Sequence, residues 1–341
     1  MSASERSPVI AVDVNGADDP RAAAAGAAAA AASGELRVLL YGEGVSSAPG
    51  VTAVEAPVSI AKDPDPARAV RNHPDASIVQ AAKAVAAGEA DALVSGGSTG
   101  AALAAGLFNV KRANGVHRPA LALPLPVPGA PVTLLDFGAN DVCWPEHLVQ
   151  FAYFGAAFAT SVLGIAAPRV GLLSNGTEAG KGREEVVEAG TRLAEAAGLD
   201  FVGNVEGFDL TAGTADVVVT DGFTGNVTLK TMEGVSKVLI GAIREAAMAS
   251  PRGKAGGLLL RPALGGLRDQ LDPEAQGGAY LLGLRKIAVV PHGSFGARGF
   301  EQAVRRAATA VREDVVGRTH TALEQAGALR RSPASDAVSS V

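Results

Sequence analysis

The chain has 341 residues with a formal net charge of −5, and 48% of its residues are hydrophobic against 19% charged. This balance excludes a largely disordered chain, and the negative charge argues against a nucleic-acid binder, which needs a dominant basic field. The single cysteine, Cys143, excludes an internal disulfide framework and cysteine-cluster metal sites, so we expect a reduced, cytoplasmic setting.

Short apolar runs alternate with helical patterns along the chain. The runs predict strands at 8–12, 36–41, 51–55, 92–94, 120–123, 132–135, 169–173, 201–205, 216–219 and 287–290. Helical periodicity predicts helices at 21–32, 77–87, 101–110, 145–163, 183–197, 226–247, 258–271 and 298–319. This alternation predicts an α/β fold, with a doubly wound, largely parallel sheet and helices on both faces.

The segments between these elements suggest the organisation of the chain. We expect one two-lobed domain over 1–325 and a polar, disordered tail over 326–341. Residues 248–257 read as irregular. The apolar stretch 148–167 is nearly long enough to span a bilayer, but Pro145 at its start and Gly164 and Pro168 at its end predict a buried helix of a globular protein.

Six loops that follow predicted strands combine glycine with Asn, Ser, Thr or Asp. They lie at 13–16, 95–100, 136–140, 174–182, 220–226 and 291–294. Ligands of open parallel sheets bind outside the carboxyl ends of the strands, so we expect these loops to share one edge. Glycine lets a ligand approach backbone N–H groups, and helix N-termini favour anions. Together the loops predict a phosphate-type site.

Other motifs argue against several common enzyme classes. Residues 176–182 (GTEAGKG) resemble a phosphate-binding P-loop, but the spacing is one residue short and Gly182 stands where Ser or Thr should bind Mg²⁺. No GxGxxG follows the first strand, and no GxSxG nucleophile motif occurs. Cys143 is interpreted as a packing residue. Among the histidines, only His292 directly follows a predicted strand. We expect neither a metal nor an organic cofactor.

Long stretches of the chain resemble the phosphate acyltransferases of phospholipid synthesis, the PlsX family of acyl-carrier-protein:phosphate acyltransferases. The resemblance covers roughly Val9 to Ala310. Its strongest segments are ADALVSGGSTGAALAAGLF, RPALALPLP, LLDFGANDVCWPEHLVQFA, PRVGLLSNGTEAGKG, FVGNVEGFDLTAGTADVVVTDGFTGNVTLKTMEG and GGAYLLGLRKIAVVPHGS. It implies an isocitrate/isopropylmalate dehydrogenase-like, phosphotransacetylase-like fold.

The resemblance also implies a reaction and partners. The reaction is transfer of a fatty acyl group from acyl-[acyl-carrier protein] to inorganic phosphate, which gives acyl phosphate for phosphatidic acid synthesis. A homodimer and a peripheral membrane association are implied, and a membrane glycerol-phosphate acyltransferase is a candidate partner. The basic amphipathic stretch Gly256–Leu271 is a candidate membrane contact, with packing on the body or on a dimer mate as the alternative.

Eight residues of the glycine-containing loops and the helix after Asn226 form the predicted site. Lys181, His292 and Asp221 are assigned to catalysis, and Ser98, Thr99, Asn140, Asn226 and Lys230 to phosphate binding. The lysines supply positive charge, and Asp221 and Asn140 orient the other groups. His292 protonates the leaving thiolate.

Several residues depart from the pattern of the resembled family, and they leave alternatives open. The departures are Asn15, Ala17, Asp19, Ser98, Thr177, Ala179 and Arg183, the last replacing an Asn. They are compatible with altered substrate preference, or with a non-catalytic paralogue that binds acyl-carrier protein or lipid. A phosphotransacetylase-like enzyme that uses acyl-coenzyme A is a further alternative. A dehydrogenase is less favoured, because no metal-binding carboxylate set is evident.

Overall fold

The computed structural model describes residues 6–127, 131–270 and 272–330, and the side chains of 261–270 and 273 fall outside that description. Its strands form one mixed sheet. They are β1 (Val9–Asp13), β2 (Arg37–Gly42), β3 (Val51–Glu55), β4 (Ala92–Ser95), β5 (Ala120–Leu125), β6 (Val132–Leu135), β7 (Arg169–Leu173), β8 (Asp200–Val205), β9 (Val217–Val219), β10 (Ala279–Leu282) and β11 (Ile287–Val290). Their order in the sheet is β3-β2-β1-β4-β11-β10-β5-β6-β9-β7-β8.

Helices cover both faces of this sheet. They are α1 (Pro20–Ala31), α2 (Pro66–Asn72), α3 (Ser77–Ala87), α4 (Thr99–Ala105), α5 (Pro145–Leu163), α6 (Glu184–Ala194), α7 (Gly222–Met248), α8 (Pro251–Gln270), α9 (Pro273–Gln276), α10 (Ala297–Arg312) and α11 (Val315–Gln325). A π-helical turn (Gly106–Val110) continues α4. None of the helices in the described residues is long and apolar enough to cross a membrane.

Alternation along the central strands explains why both faces are covered. In β1, Ile10 and Val12 join the core beneath α1, α5 and α10, whereas Val9 and Ala11 join the core beneath α3 and α4. Successive side chains of a strand point to opposite faces, so a strand that is apolar throughout must be buried on both. The predicted doubly wound, largely parallel fold is confirmed. The helix at 145–163 is also confirmed, because most of α5 is buried.

Four expectations about individual elements need correction. Neither β10 nor α2 was predicted. Residues 248–257 are not irregular, since α8 begins with Pro251 in its first turn, where the missing N–H is harmless. The single helix predicted at 298–319 is two helices, because Asp314 adopts φ 47 and caps α11 through Gly317 N. The predicted end of the 258–271 helix, Leu271, lies outside the described residues.

The chain stays attached to the body beyond the predicted end of the domain at 325. Gln150 Nε2 donates to Ala328 O at 2.8 Å, and Arg330 N donates to Gly115 O at 2.8 Å. Residues 331–341 lie outside the described part of the chain. The predicted limits of the two-lobed domain and of its tail remain predictions.

The packing of α1 against α10 leads to a stability test. A methyl group on Gly26 would lie 2.2 Å from Ala297 O, whereas one on Gly190 in α6 would lie 3.6 Å from its nearest neighbour, Leu172 Cδ1. Glycine lowers helix stability by about 0.5–1 kcal/mol relative to alanine. We therefore expect Gly190→Ala to raise the free energy of unfolding by up to about that amount. Gly26→Ala should lower it by about 1–3 kcal/mol, because overpacking outweighs helix propensity.

Urea denaturation of the two variants measures both effects. The packing argument would be contradicted if Gly26→Ala were as stabilising as Gly190→Ala.

Candidate functional site

The strand directions divide the glycine-containing loops into two groups. β11 is antiparallel to β10, β10 to β5 and β5 to β6, while all other neighbouring pairs are parallel. The strands β1, β4 and β11 therefore run opposite to β6, β7 and β9. The expectation that all six loops share one edge of the sheet is wrong. The first loop group follows β1, β4 and β11 (13–16, 95–100, 291–294), and the second follows β6, β7 and β9 (136–140, 174–182, 220–226).

A buried carboxylate organises the first loop group. Asp13 ends β1 and is 2% exposed. Its carboxylate accepts hydrogen bonds from Ser77 Oγ at 2.6 Å and Ser95 Oγ at 2.7 Å, and Ser95 Oγ accepts one from Gly97 N at 3.2 Å. Burial raises the pKa of Asp13, although the hydroxyl donors oppose this change. This chain of contacts holds the start of the loop that leads into α4.

Three predicted site residues lie in the first loop group. Ser98 is the N-cap of α4, and its hydroxyl accepts from Ala101 N at 3.2 Å. Thr99 is half-buried at the first position of the helix. His292 is exposed, and its Nδ1 lies 2.8 Å from Ser294 Oγ. The loops are tied together by Asp18 N, which donates to Gly293 O at 2.9 Å.

A second buried carboxylate organises the other group. Asp136 directly follows β6 and is fully buried. It accepts from Leu121 N at 2.9 Å, from Asn140 N at 2.8 Å and from Asn140 Nδ2 at 2.9 Å. Burial raises the pKa of Asp136, and these donors oppose the rise. Asn140 Nδ2 also donates to Pro119 O at 2.8 Å, so both amide hydrogens of this predicted phosphate ligand hold the loop in place.

The loop before α7 packs tightly on the loop after β6. Gly222 N donates to Asn140 O at 2.7 Å, and a methyl group on Gly225 would lie 1.9 Å from Asp136 O. Only glycine fits at position 225 without displacing the backbone. This close approach fixes the first turn of α7 relative to the end of β6, and with it the position of Asn226.

Asp221 begins this helix and is 3% exposed. It caps α7 by accepting from Thr224 N at 2.9 Å and Thr224 Oγ1 at 2.8 Å, and it also forms an ion pair with Arg183. All of these partners donate to the carboxylate. The geometry therefore favours an orienting role for Asp221 over proton transfer.

Positive charge and an amide lie at the surface of the second loop group. Lys181 is exposed, and its loop is held by Asn204 Nδ2, which donates to Glu178 O at 2.9 Å. Asn226 is exposed on the first turns of α7. Lys230 forms an ion pair with Glu233 at 2.8 Å on the same helix. The second loop group therefore holds Lys181, Asp221, Asn140 and Asn226, and Lys230 lies on α7 four residues beyond it.

Cys143 lies beside this site but does not have the character of a nucleophile. Its side chain is buried, and Sγ donates to Asn140 O at 3.8 Å. Burial, together with the nearby Asp136 and Asp221, raises the pKa of the thiol to about 12. A neutral buried thiol is a packing group, as the sequence predicts.

A cluster with metal-binding residue types lies at the start of α5. One potential ligand atom from each of His117, Glu146 and His147 lies within 4.8 Å of the others. However, His147 Nδ1 accepts a hydrogen bond from Trp144 N at 3.1 Å, so the neutral ring carries its proton on Nε2. Neither nitrogen then has a lone pair available to a metal, and we assign no metal to this cluster.

The buried residues that support the two loop groups were not predicted from the sequence. Asp13, Ser77, Ser95 and Asp136 were not predicted as site residues, and Arg183 was noted only as a departure from the family pattern. One signal was present, because both β1 and β6 are apolar and each is closed by an aspartate. The partners of these aspartates come from elsewhere in the chain, up to 82 residues away, and no local pattern marks them.

Comparisons with known proteins give the chain a family context. The family described as "Fatty acid synthesis protein" matches residues 9–318. A phosphate acyltransferase of Streptococcus pneumoniae is 44% identical over 320 residues, which cover 91% of this chain and 97% of that protein. A phosphate acyltransferase of Lacticaseibacillus casei is 46% identical over 298 residues, covering 84% and 86%. A crystal structure of a phosphotransacetylase from Streptococcus pyogenes aligns with a TM-score of 0.58 at 18% identity, covering 89% of this chain and 94% of the other, and supports the fold.

The environment of Cys143 predicts slow alkylation of the native protein. With a thiol pKa of about 12, roughly one molecule in 10,000 carries a thiolate at pH 8, compared with about a quarter for a free cysteine. We expect iodoacetamide to modify native protein at least about 100-fold more slowly than protein unfolded in urea. Mass spectrometry follows the reaction, and equal rates in the two states would contradict the assigned environment.

Proposed function

The chain belongs to the fatty acid synthesis protein family, and we propose that it transfers a fatty acyl group from acyl-[acyl-carrier protein] to inorganic phosphate. Its relatives at 44% and 46% identity carry the name phosphate acyltransferase. The observation that most supports the proposal is the second loop group, where a lysine and an asparagine lie exposed above a rigid base of buried carboxylates.

Phosphate is bound in this proposal by Lys181 and Asn226. Lys181 supplies a positive charge, and Asn226 supplies a neutral amide donor close to the N-terminus of α7. Phosphate is already an anion and a nucleophile near neutral pH, so the protein has to position it more than activate it. Correct placement of two reactants is worth about 7–11 kcal/mol of the barrier. No covalent nucleophile is required.

The reaction forms one bond and breaks one. A phosphate oxygen attacks the thioester carbonyl carbon, the tetrahedral oxyanion collapses, and the carbon–sulfur bond breaks. Each well-placed donor to the oxyanion contributes about 2.7–4 kcal/mol. The carrier leaves as a thiolate that takes up a proton, and acyl phosphate is the product.

The roles proposed for the other predicted site residues have less direct structural support. Asn140 and Asp221 orient the loops, as their hydrogen bonds suggest. Lys230 is proposed as a second cation, drawn from its ion pair with Glu233 by bound phosphate. Ser98, Thr99 and His292 lie in the first loop group, and their proposed roles require that group to contact the same substrate.

Two other functions are distinguished by one assay. An enzyme that uses acyl-coenzyme A would release free coenzyme A faster than free carrier protein. A non-catalytic binding protein would release neither. Purified protein is incubated with long-chain acyl-carrier protein or acyl-coenzyme A, with and without phosphate, and the free thiol is measured. The proposal requires release that depends on phosphate and is faster with the carrier protein.

The role of Lys181 gives the sharpest single-residue prediction. Loss of a charge-assisted contact of about 1.5–3 kcal/mol should lower the rate at limiting phosphate by about 10- to 150-fold in Lys181→Ala. Lys83→Ala is the matched control, because Lys83 is exposed on α3 and its Nζ donates only to Pro74 O. A wild-type rate for Lys181→Ala at limiting phosphate would remove Lys181 from the site.

A homodimer and a peripheral membrane contact are proposed for α7 and α8. Every residue from 234 to 246 of α7 is exposed, although these residues include Val238, Leu239, Ile240 and Ile243. A helix with apolar residues exposed around its circumference needs a partner, and a second copy of this chain is the partner proposed.

In α8, Leu258, Leu259 and Leu260 are 67%, 83% and 57% exposed and follow the basic Arg252 and Lys254, which favours contact with anionic lipid.

The two surfaces are tested by a matched pair of variants. We expect Leu259→Glu to reduce co-sedimentation with phosphatidylglycerol vesicles and to keep the mass of a dimer in analytical ultracentrifugation. Ile243→Glu should instead halve the mass, because a buried charge disrupts the interface. Unchanged vesicle binding by Leu259→Glu would refute the membrane contact, and a monomeric wild-type protein would refute the dimer.

A further inference from the structure

Arg183 directly follows the 174–182 segment of the second loop group, and the proposed function leaves its position and chemistry unused. It directly precedes α6 and follows Gly182, whose φ of 106 reverses the chain after Lys181. The turn brings Arg183 to the start of α7, where it pairs with Asp221, and Lys181 lies two residues before it in the chain.

The ion pair with Asp221 fixes one side of the guanidinium. Arg183 Nη2 donates to Asp221 Oδ2, and the Arg183 side chain is 56% exposed whereas that of Asp221 is 3% exposed. Asp221 itself is held by Thr224 through Oδ1 and Oδ2. The arginine is therefore anchored from below on a rigid carboxylate, while more than half of its side chain faces solvent.

This anchoring suits arginine for binding an oxyanion. A guanidinium has five N–H donors in a planar fork, and the Asp221 contact uses one of its nitrogens. Orienting the fork in advance reduces the entropy that is lost when a ligand binds. Lysine lacks the fork, and asparagine lacks the charge.

The charges around Arg183 are compatible with the binding of an anion. Asp221 is paired with Arg183, and Lys181 adds a second positive charge two residues away. The acidic groups on the same loop and helix are Glu178, Glu184, Glu185 and Glu188, and none of them is the partner of Arg183. An anion bound by Arg183 would thus lie beside the first turn of α7, close to the carboxylate that anchors the arginine.

We propose that Arg183 is a phosphate-specificity residue, which binds two oxygens of the attacking phosphate through the part of its guanidinium that faces away from Asp221. The proposal rests on the proposed function for the identity of the anion. In this proposal, Lys181 supplies positive charge, Arg183 recognises the oxygens of the inorganic phosphate, and Asp221 positions Arg183.

Steady-state kinetics of Arg183→Lys and Arg183→Asn test the assignment. We expect both variants to raise the KM for phosphate by about tenfold or more, with the KM for acyl-carrier protein changed less than about twofold. Lysine keeps the charge but loses the fork, so its failure to rescue distinguishes recognition from simple electrostatics. Arg192→Ala is the control, because Arg192 forms an exposed ion pair with Glu188 on the same helix. An unchanged KM for phosphate in both variants would overturn the proposal.

Isothermal titration calorimetry with inorganic phosphate separates this proposal from the proposed function. Weaker phosphate binding in the Arg183 variants, with binding retained in Arg192→Ala and with unchanged melting temperatures, supports the assignment even if no acyl phosphate forms. Equal phosphate affinity in wild-type and Arg183→Asn protein would refute it even in an active enzyme. If Arg183→Asn lowers the melting temperature, Arg183→Lys is the variant that decides.

Discussion

Two buried carboxylates, Asp13 and Asp136, are the constraint on which the loop architecture depends. Burial of a carboxylate costs free energy unless hydrogen-bond donors surround it. The residues around each aspartate therefore have to supply such donors. Asp13 takes hydroxyls from Ser77 and Ser95, and Asp136 takes backbone and amide N–H groups. These hydrogen bonds fix the geometry of the buried residues that lie beneath the exposed side chains of each loop group.

The reversal of strand direction in the middle of the sheet separates these two bases. β10 and β5 stand between two parallel sets and pair antiparallel with their neighbours, so the sets point their carboxyl ends to opposite edges. The cations Lys181, Arg183 and Lys230 all belong to the second loop group or the helix that follows it. This positive charge makes the second loop group a better binding site for an anion than the first loop group, which offers hydroxyls and His292.

Much of the fold could be predicted from the sequence because its strands are short apolar runs closed by glycine-containing turns. The bounds of β3, β6, β7 and β11 agree with the prediction to the residue. β10 was missed because its four residues lie in a glycine-rich stretch that resembles a loop, and its pairing with β5 and β11 is nonlocal. The break at Asp314 depends on one left-handed residue, which leaves the helical periodicity on either side intact. Of the site, sequence reasoning found the exposed residues, because they lie in recognisable loops, but not the groups beneath them, whose partners are distant in sequence.

The length of α7 joins the chemistry to the surface at its other end. Its 27 residues form a rod of about 40 Å that starts at Asp221 and the close contact of Gly225 with Asp136, and ends among exposed apolar side chains. A tilt of about 3° about the buried end displaces the far end by about 2 Å. A partner bound at that far end would therefore act through one continuous helix on the turn that carries Asn226.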